Sequence, residues 1–285
     1  MITNILTYID GHGSAENAAE AAFHLAIRHN AHVEGLFFRA DAQEFIKNAP
    51  HFGNPSEYDQ FAEIYDRNAA QVEKRATEAF AQARDKFGVS EGDAASSTVR
   101  PTAHWSVGSG QPERIVCQLA RVNDVCVIGR GSNGSKNSTG SVIEAVLFDS
   151  GRPVLIVPPQ PPKSVGSEII ITWNRSAMAT RALNTAMPLF DKADHIRLIY
   201  VDTGAKTGPS VEAAATYVQR HGFNVETETV RPHSRGVGST LLHYAQNADL
   251  LVMGSYSHSR LREVILGGVT RYVLANAEVP VLMVH

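Results

Sequence analysis

Three pieces of sequence near the C-terminus decide the reading: Ala248-Asp-Leu-Leu-Val-Met-Gly254, Leu266-Gly-Gly-Val-Thr-Arg271 and Val279-Pro-Val-Leu-Met-Val-His285. Leu250 to Met253 is a short apolar run that stops at Gly254, as a buried parallel strand does where the backbone must turn sharply. Ser255 to Arg262 is too polar and too short for a core element. Gly267 and Gly268 then open Val269 to Ala277, an apolar segment that reads as a helix. Pro280 leads into a last buried strand, Val281 to Val284. Strand, glycine, loop, glycine pair and helix, in that order, aim backbone N–H groups and the positive end of a helix at one spot. That is a natural seat for an anion.

The same pieces occur earlier in the chain. Asn123-Asp-Val-Cys-Val-Ile-Gly129 echoes Ala248 to Gly254, and Arg152-Pro-Val-Leu-Ile-Val157 echoes Val279 to Val284. Gly140-Ser141-Val142 falls opposite Gly267-Gly268-Val269 when the closing strands are aligned. Further forward, Ile5 to Asp10 matches Ile169 to Asn174, and His32 to Phe38 lies opposite His195 to Val201. Correspondences in one order identify a tandem duplication. Pro158-Pro-Gln-Pro-Pro162 is a stiff, extended linker, so the copies divide into residues 1–160 and 161–285.

Each copy alternates strand and helix. Helical spacing runs over Ala15 to Arg28, Asp66 to Phe87 (closed by Gly88) and Gln111 to Ala120, with Pro112 in the first turn. The second copy has Ala177 to Phe190, Ser210 to His221 (closed by Gly222) and Ser239 to Ala248. Such alternation implies an α/β fold, a doubly wound parallel sheet with helices on both faces, made twice. Arg39 to Tyr65 has no counterpart in the second copy and reads as an elaborated surface loop, a lid or contact arm.

Gly254, two residues, Ser257, nine residues and Gly267-Gly268 resembles the nucleotide-binding signature of the universal stress protein family. Ser257 stands where that signature has a second glycine, and Gly268 where it has Ser or Thr. The resemblance covers nearly the whole chain as two fused copies. It implies five parallel strands per copy in the order 3-2-1-4-5, the adenine nucleotide alpha hydrolase-like arrangement. It further implies a regulatory ATP, with Mg2+, in the second copy. Gly254, Ser257, Gly267, Gly268, Val269 and Thr270 would hold phosphates, with His258 beside them. Thr172, Trp173, Asn174 and Val201 would line the adenosine side. Last strands in this family pair across a twofold axis, so the fused copies are expected to form an intrachain pseudo-dimer, and a homodimer is a further expectation. The two departures leave an alternative: a nucleotide-free protein acting through partners and the Arg39 to Tyr65 arm. A slow ATPase is the only enzymatic reading, and no water-positioning group can be named for it.

Other patterns have plainer readings. Gly129-Arg-Gly131-Ser-Asn-Gly134 fits a dinucleotide fingerprint but follows a fourth strand instead of a first. The residues after it, Ser135 to Gly140, are poor helix formers. It is also a near P-loop with the lysine one place late, Asn137 where a magnesium hydroxyl belongs, and no helix expected to follow. Asp10 and Asn174 end the first strand of each copy, where a polar side chain either faces a ligand crevice or caps a turn. The twelve histidines, among them His12, His104 and His233, show no clustering in sequence. A Gly-x-Ser-x-Gly elbow is absent.

Lys and Arg total 26 against 29 Asp and Glu, which gives no sign of a nucleic-acid partner. No apolar run approaches the roughly 20 residues of a membrane helix. Met1-Ile-Thr-Asn-Ile-Leu6 enters a strand without a basic region or cleavage site, and Cys117 and Cys126 lie in apolar runs as buried thiols. A cytoplasmic protein is expected. Finally, Gly129 to Gly140 is two residues shorter than Gly254 to Gly267. Each residue spans up to about 3.5 Å, so the shorter loop should pull one set of N–H donors out of register. One nucleotide per chain is expected, in the second copy.

Overall fold

Runs of Ile, Leu and Val that are apolar at every position make strands buried on both faces, and helices between them keep those strands parallel. The computed structural model describes residues 1–39, 55–92, 101–131, 139–204, 207–255 and 267–285. The first copy runs β1 (Asn4–Tyr8), α1 (Ala15–His29), β2 (His32–Arg39), α2 (Pro55–Lys86), β3 (Ser90–Glu91), β4 (Thr102–Ser109), α3 (Pro112–Ala120), β5 (Val125–Gly129), α4 (Thr139–Asp149) and β6 (Val154–Val157). The second runs β7 (Glu168–Trp173), α5 (Ala177–Phe190), β8 (His195–Val201), α6 (Val211–Arg220), β9 (Glu226–Val230), α7 (Val237–Ala245), β10 (Leu250–Gly254), α8 (Gly268–Asn276) and β11 (Val281–Val284).

All the strands join one 11-stranded sheet in the order β3-β4-β2-β1-β5-β6-β11-β10-β7-β8-β9. Within each copy the five long strands follow 3-2-1-4-5, as the resemblance implied; β3 is a two-residue addition at the rim. The pairings are parallel except at the junction, where β6 and β11 run antiparallel with Leu155 opposite Leu282. Two cores result, one on each face, and both continue through the two copies. Phe23, Phe80, Leu183 and Val218 bring α1, α2, α5 and α6 onto one face. Val116, Val146, Leu241 and Val273 bring α3, α4, α7 and α8 onto the other. Cys117 and Cys126 are buried free thiols in that second core.

The Arg39 to Tyr65 segment is not the loop expected. Arg39 ends β2 and residues from Pro55 onward belong to α2, which is 32 residues long; residues 40–54 lie outside the described ones. Proline at the first helical position lacks only an N–H that would have no partner there, so it starts a helix instead of breaking one. The near P-loop is likewise followed by a helix, but α4 starts at Thr139, past the lysine. Among the described residues, no helix is long and apolar enough to cross a membrane.

The aspartate that precedes each fourth strand has a structural task. Asp124 accepts hydrogen bonds from the N–H groups of Thr3 (2.7 Å) and Asn4 (3.0 Å) and from the Thr3 hydroxyl (3.0 Å). Asp249 does the same in the second copy, with the N–H groups of Gly166, Ser167 and Glu168 at 2.9–3.0 Å. Both carboxylates therefore fix where the first strand of a copy begins beside the fourth. Burial alone would raise the Asp124 carboxyl, but the Thr3 and Asn4 donors outweigh it and hold it below the usual carboxylate range. A depressed folded-state value stabilises the protein above the unfolded value of about 3.9, and that contribution disappears as pH falls through the folded value. Urea midpoints measured from about pH 7 down to about pH 3 should therefore fall less steeply for Asp124→Asn than for the parent. Parallel curves would show that these bonds carry no acid sensitivity.

Candidate functional site

In a doubly wound sheet the crevice lies beyond the C-terminal ends of the strands where the order reverses: between β1 and β5 in one copy, and between β7 and β10 in the other. In the second copy β7 delivers Thr172, half-buried, and Trp173, 4 % exposed. Alternation along the strand puts Thr172 on the face of α7 and α8, together with Val201 at the end of β8. Trp173 points to the other core, where its indole N–H donates to the Pro209 carbonyl at 3.0 Å. Asn174 is exposed, and its carbonyl oxygen accepts from the Ser176 hydroxyl (2.6 Å) and N–H (3.2 Å). Ser176 in turn caps α5 by accepting from Ala179 N–H. The Asn174 side chain thus holds a turn together.

At the other wall β10 ends at Gly254. A side-chain carbon there would fall 2.6 Å from the Met178 carbonyl carbon in the first turn of α5. Gly129 is its counterpart, 2.7 Å from the Ser14 carbonyl oxygen. Both glycines let the helix that follows the first strand lie directly on the end of the fourth. Ser257 and His258 lie outside the described residues. Gly267 caps α8 and Gly268 begins it; a side-chain carbon at Gly268 would have nothing within 4 Å among the described residues. Packing among those residues therefore does not demand glycine at the start of this helix. Val269 is exposed, whereas Thr270 is 1 % exposed and its hydroxyl has no hydrogen-bond partner among the described residues.

The first-copy crevice is also polar. Asp10 is 5 % exposed; one carboxylate oxygen accepts from His12 N–H at 3.0 Å, and the other is buried without a partner among the described residues. Burial raises its carboxyl above the ordinary value, against the lowering pull of the His12 N–H. The Ser14 hydroxyl is buried without a partner as well. The turns after Asp10 and Asn174 are both left-handed, but Gly11 (φ 71°) fills one and Arg175 (φ 67°) the other. An L side chain there costs about 1–2 kcal/mol. The Arg175 guanidinium lies 4.8 Å from the centre of the Tyr200 ring. With Asp202, Glu212 and Thr229 these two residues line a cleft of about 300 Å³.

Some histidines do come together, contrary to the sequence-based expectation. Strand pairing places His32 and His104 on either side of Glu34, at 3.6 and 3.1 Å, and the rings of His233 and His243 are 5.0 Å apart. Among the described residues no group of three or more His, Cys, Asp or Glu is arranged to hold a metal ion.

The family model for universal stress proteins matches residues 1–158 and 197–285. The chain belongs to this family. Universal stress protein Slr1230 of Synechocystis is 25% identical over 170 residues, a match covering 56% of this chain and 57% of that protein. This chain therefore spans little more than half the length of that curated relative. A universal stress protein from Archaeoglobus fulgidus superposes with a TM-score of 0.62 at 19% identity, covering 99% of this chain and 97% of the other. A putative universal stress protein from Pseudomonas aeruginosa gives 0.52 at 15% identity, covering 99% and 93%. At those identities the two structures speak for the fold shared by both copies.

Proposed function

We propose that this universal stress protein binds one adenine nucleotide, ATP with Mg2+, in its second copy, as a regulatory ligand in a cytoplasmic stress response. The observation that carries the reading is the start of α8. Among the described residues nothing lies within 4 Å of a side-chain carbon at Gly268, which opens its first turn, and the buried Thr270 hydroxyl beside it lacks a partner. Backbone N–H groups of Gly268 and Val269 then supply the donors that a helix start offers to phosphate. Thr172 and Val201 form the adenosine side, with Asn174 at the rim. Mg2+ would ride on the phosphates and its own waters, which is usual for this ion.

A second reading has its own support. At the first-copy crevice the buried Asp10 carboxylate oxygen and Ser14 hydroxyl both lack partners among the described residues, whereas at the start of α8 it is the Thr270 hydroxyl that does. Side chains alone thus favour the first-copy crevice, while loop length favours the second. Calorimetry with ATP and magnesium decides whether any nucleotide binds, and its stoichiometry counts the sites. One site per chain is expected. No heat from folded protein would leave the nucleotide-free interaction protein as the reading to keep.

A further inference from the structure

The two copies close their last helices differently. In the first, α4 is finished from within its own copy: Ser150 N–H returns to the Val146 carbonyl, and Arg121 donates to the Asp149 carbonyl at 3.2 Å. In the second, α8 has the same kind of closure, Ala277 N–H to the Val273 carbonyl and the Asn276 side chain to the Tyr272 carbonyl, both at 2.8 Å, and adds a residue of the other copy. Arg130, the residue after β5, donates through one guanidinium nitrogen to the Leu274 carbonyl and through the other to the Ala277 carbonyl at 2.7 Å. The Arg130 backbone is itself fixed, its N–H donating to the Val157 carbonyl at 2.7 Å. The matching residue of the second copy, Ser255, makes the same backbone bond to Val284 but has only a short hydroxyl, which meets the His285 ring at 3.2 Å. The strap therefore runs one way, from the first copy onto α8.

α8 is short, nine residues, with Thr270 and Val273 buried, Leu274 packed on the same core and Tyr272 against Gly238 of α7. Fixing its last carbonyls as well limits how far so short a helix can tilt. A guanidinium suits the task because its planar fork reaches two carbonyls at once and complements the negative end of the helix.

We infer that Arg130 is a positioning residue for the phosphate end of the second-copy nucleotide, acting through α8 from the first copy. This rests on the reading of α8 as the phosphate-binding helix. Arg130 touches the C-terminal end of that helix, about 13 Å of helix from the N–H groups at its start by the usual rise per residue. Its effect on ligand is confined to what the helix start contacts, which is phosphate and not the nucleoside.

That separation provides the test. Dissociation constants for ATP and for adenosine are measured on the parent chain, Arg130→Ala and Arg130→Lys, with unfolding curves alongside. Arg130→Ala should weaken ATP roughly tenfold, the scale of a helix-end charge contact, and leave adenosine within about twofold. Arg130→Lys, which keeps the charge but not the fork, should recover part of the loss and supplies the comparison if Arg130→Ala folds poorly. Equal weakening of ATP and adenosine, or unchanged ATP affinity in both variants, overturns the inference while leaving the nucleotide reading in place. Failure of the parent chain to bind ATP removes the nucleotide reading, and this inference falls with it.

Discussion

Gly254→Ala should unfold at a markedly lower urea concentration than the parent, by roughly 3 kcal/mol, with no ligand present. The added carbon would lie 2.6 Å from the Met178 carbonyl carbon and 2.7 Å from its oxygen. Both are backbone atoms, so no side-chain rotation relieves the clash, and the first turn of α5 must move off the sheet. Gly140→Ala and Gly268→Ala are the matched controls, because a side-chain carbon at either position meets nothing within 4 Å among the described residues. Circular dichroism across a urea series reads all three. An unchanged midpoint for Gly254→Ala would mean that α5 does not press on the end of β10.

Gly268→Trp should weaken ATP by about a hundredfold or more, while Gly140→Trp stays within about twofold of the parent. Gly268 is exposed and a side-chain carbon there meets nothing within 4 Å among the described residues, so in a variant with a parent-like urea midpoint loss of binding would report on the ligand and not on folding. An indole there would cover the N–H groups that α8 offers to phosphate. Titration calorimetry gives the affinities, and matching urea midpoints confirm that both variants are folded. The reverse pattern would place the nucleotide at Asp10 and Ser14.

Much of the fold is legible in the sequence where burial is complete. β5, β6, β10 and β11 are apolar at almost every position and recur in the same order, which gives both the strand type and the duplication. The strands that the sequence hides are β4 and β9. Glu226-Thr-Glu-Thr-Val230 has largely exposed side chains, so no apolar run marks it. The start of α2 was hidden for a related reason: Pro55 and the polar residues after it suggest a loop until the proline is placed at a helix start.

The candidate site was legible in outline only. The glycine pair at α8 carries its own signal, but Gly254 could not be separated from a ligand-contacting glycine until Met178 was seen against it. Asp124 and Asp249 did leave a signal, a repeated aspartate before each fourth strand, whose bonds only the structure reveals. The pairing of His32 and His104 around Glu34, like the contact of Arg130 with α8, joins residues far apart in sequence, and local periodicity is blind to both.

The antiparallel contact of β6 with β11 also bears on aggregation. An unpaired strand edge is a template for any other extended chain, and a long apolar edge is the most hazardous. β6 and β11 are fully buried four-residue apolar strands, and each shields the other's open side. Among the described residues the outermost strands are β3, two residues long and paired only with Thr102 and Ala103 of β4, and β9, which carries Glu226 and Glu228. Fusing two copies has thus taken the two most apolar strands off the rim and left a strand with negative charges at the far edge of the second copy.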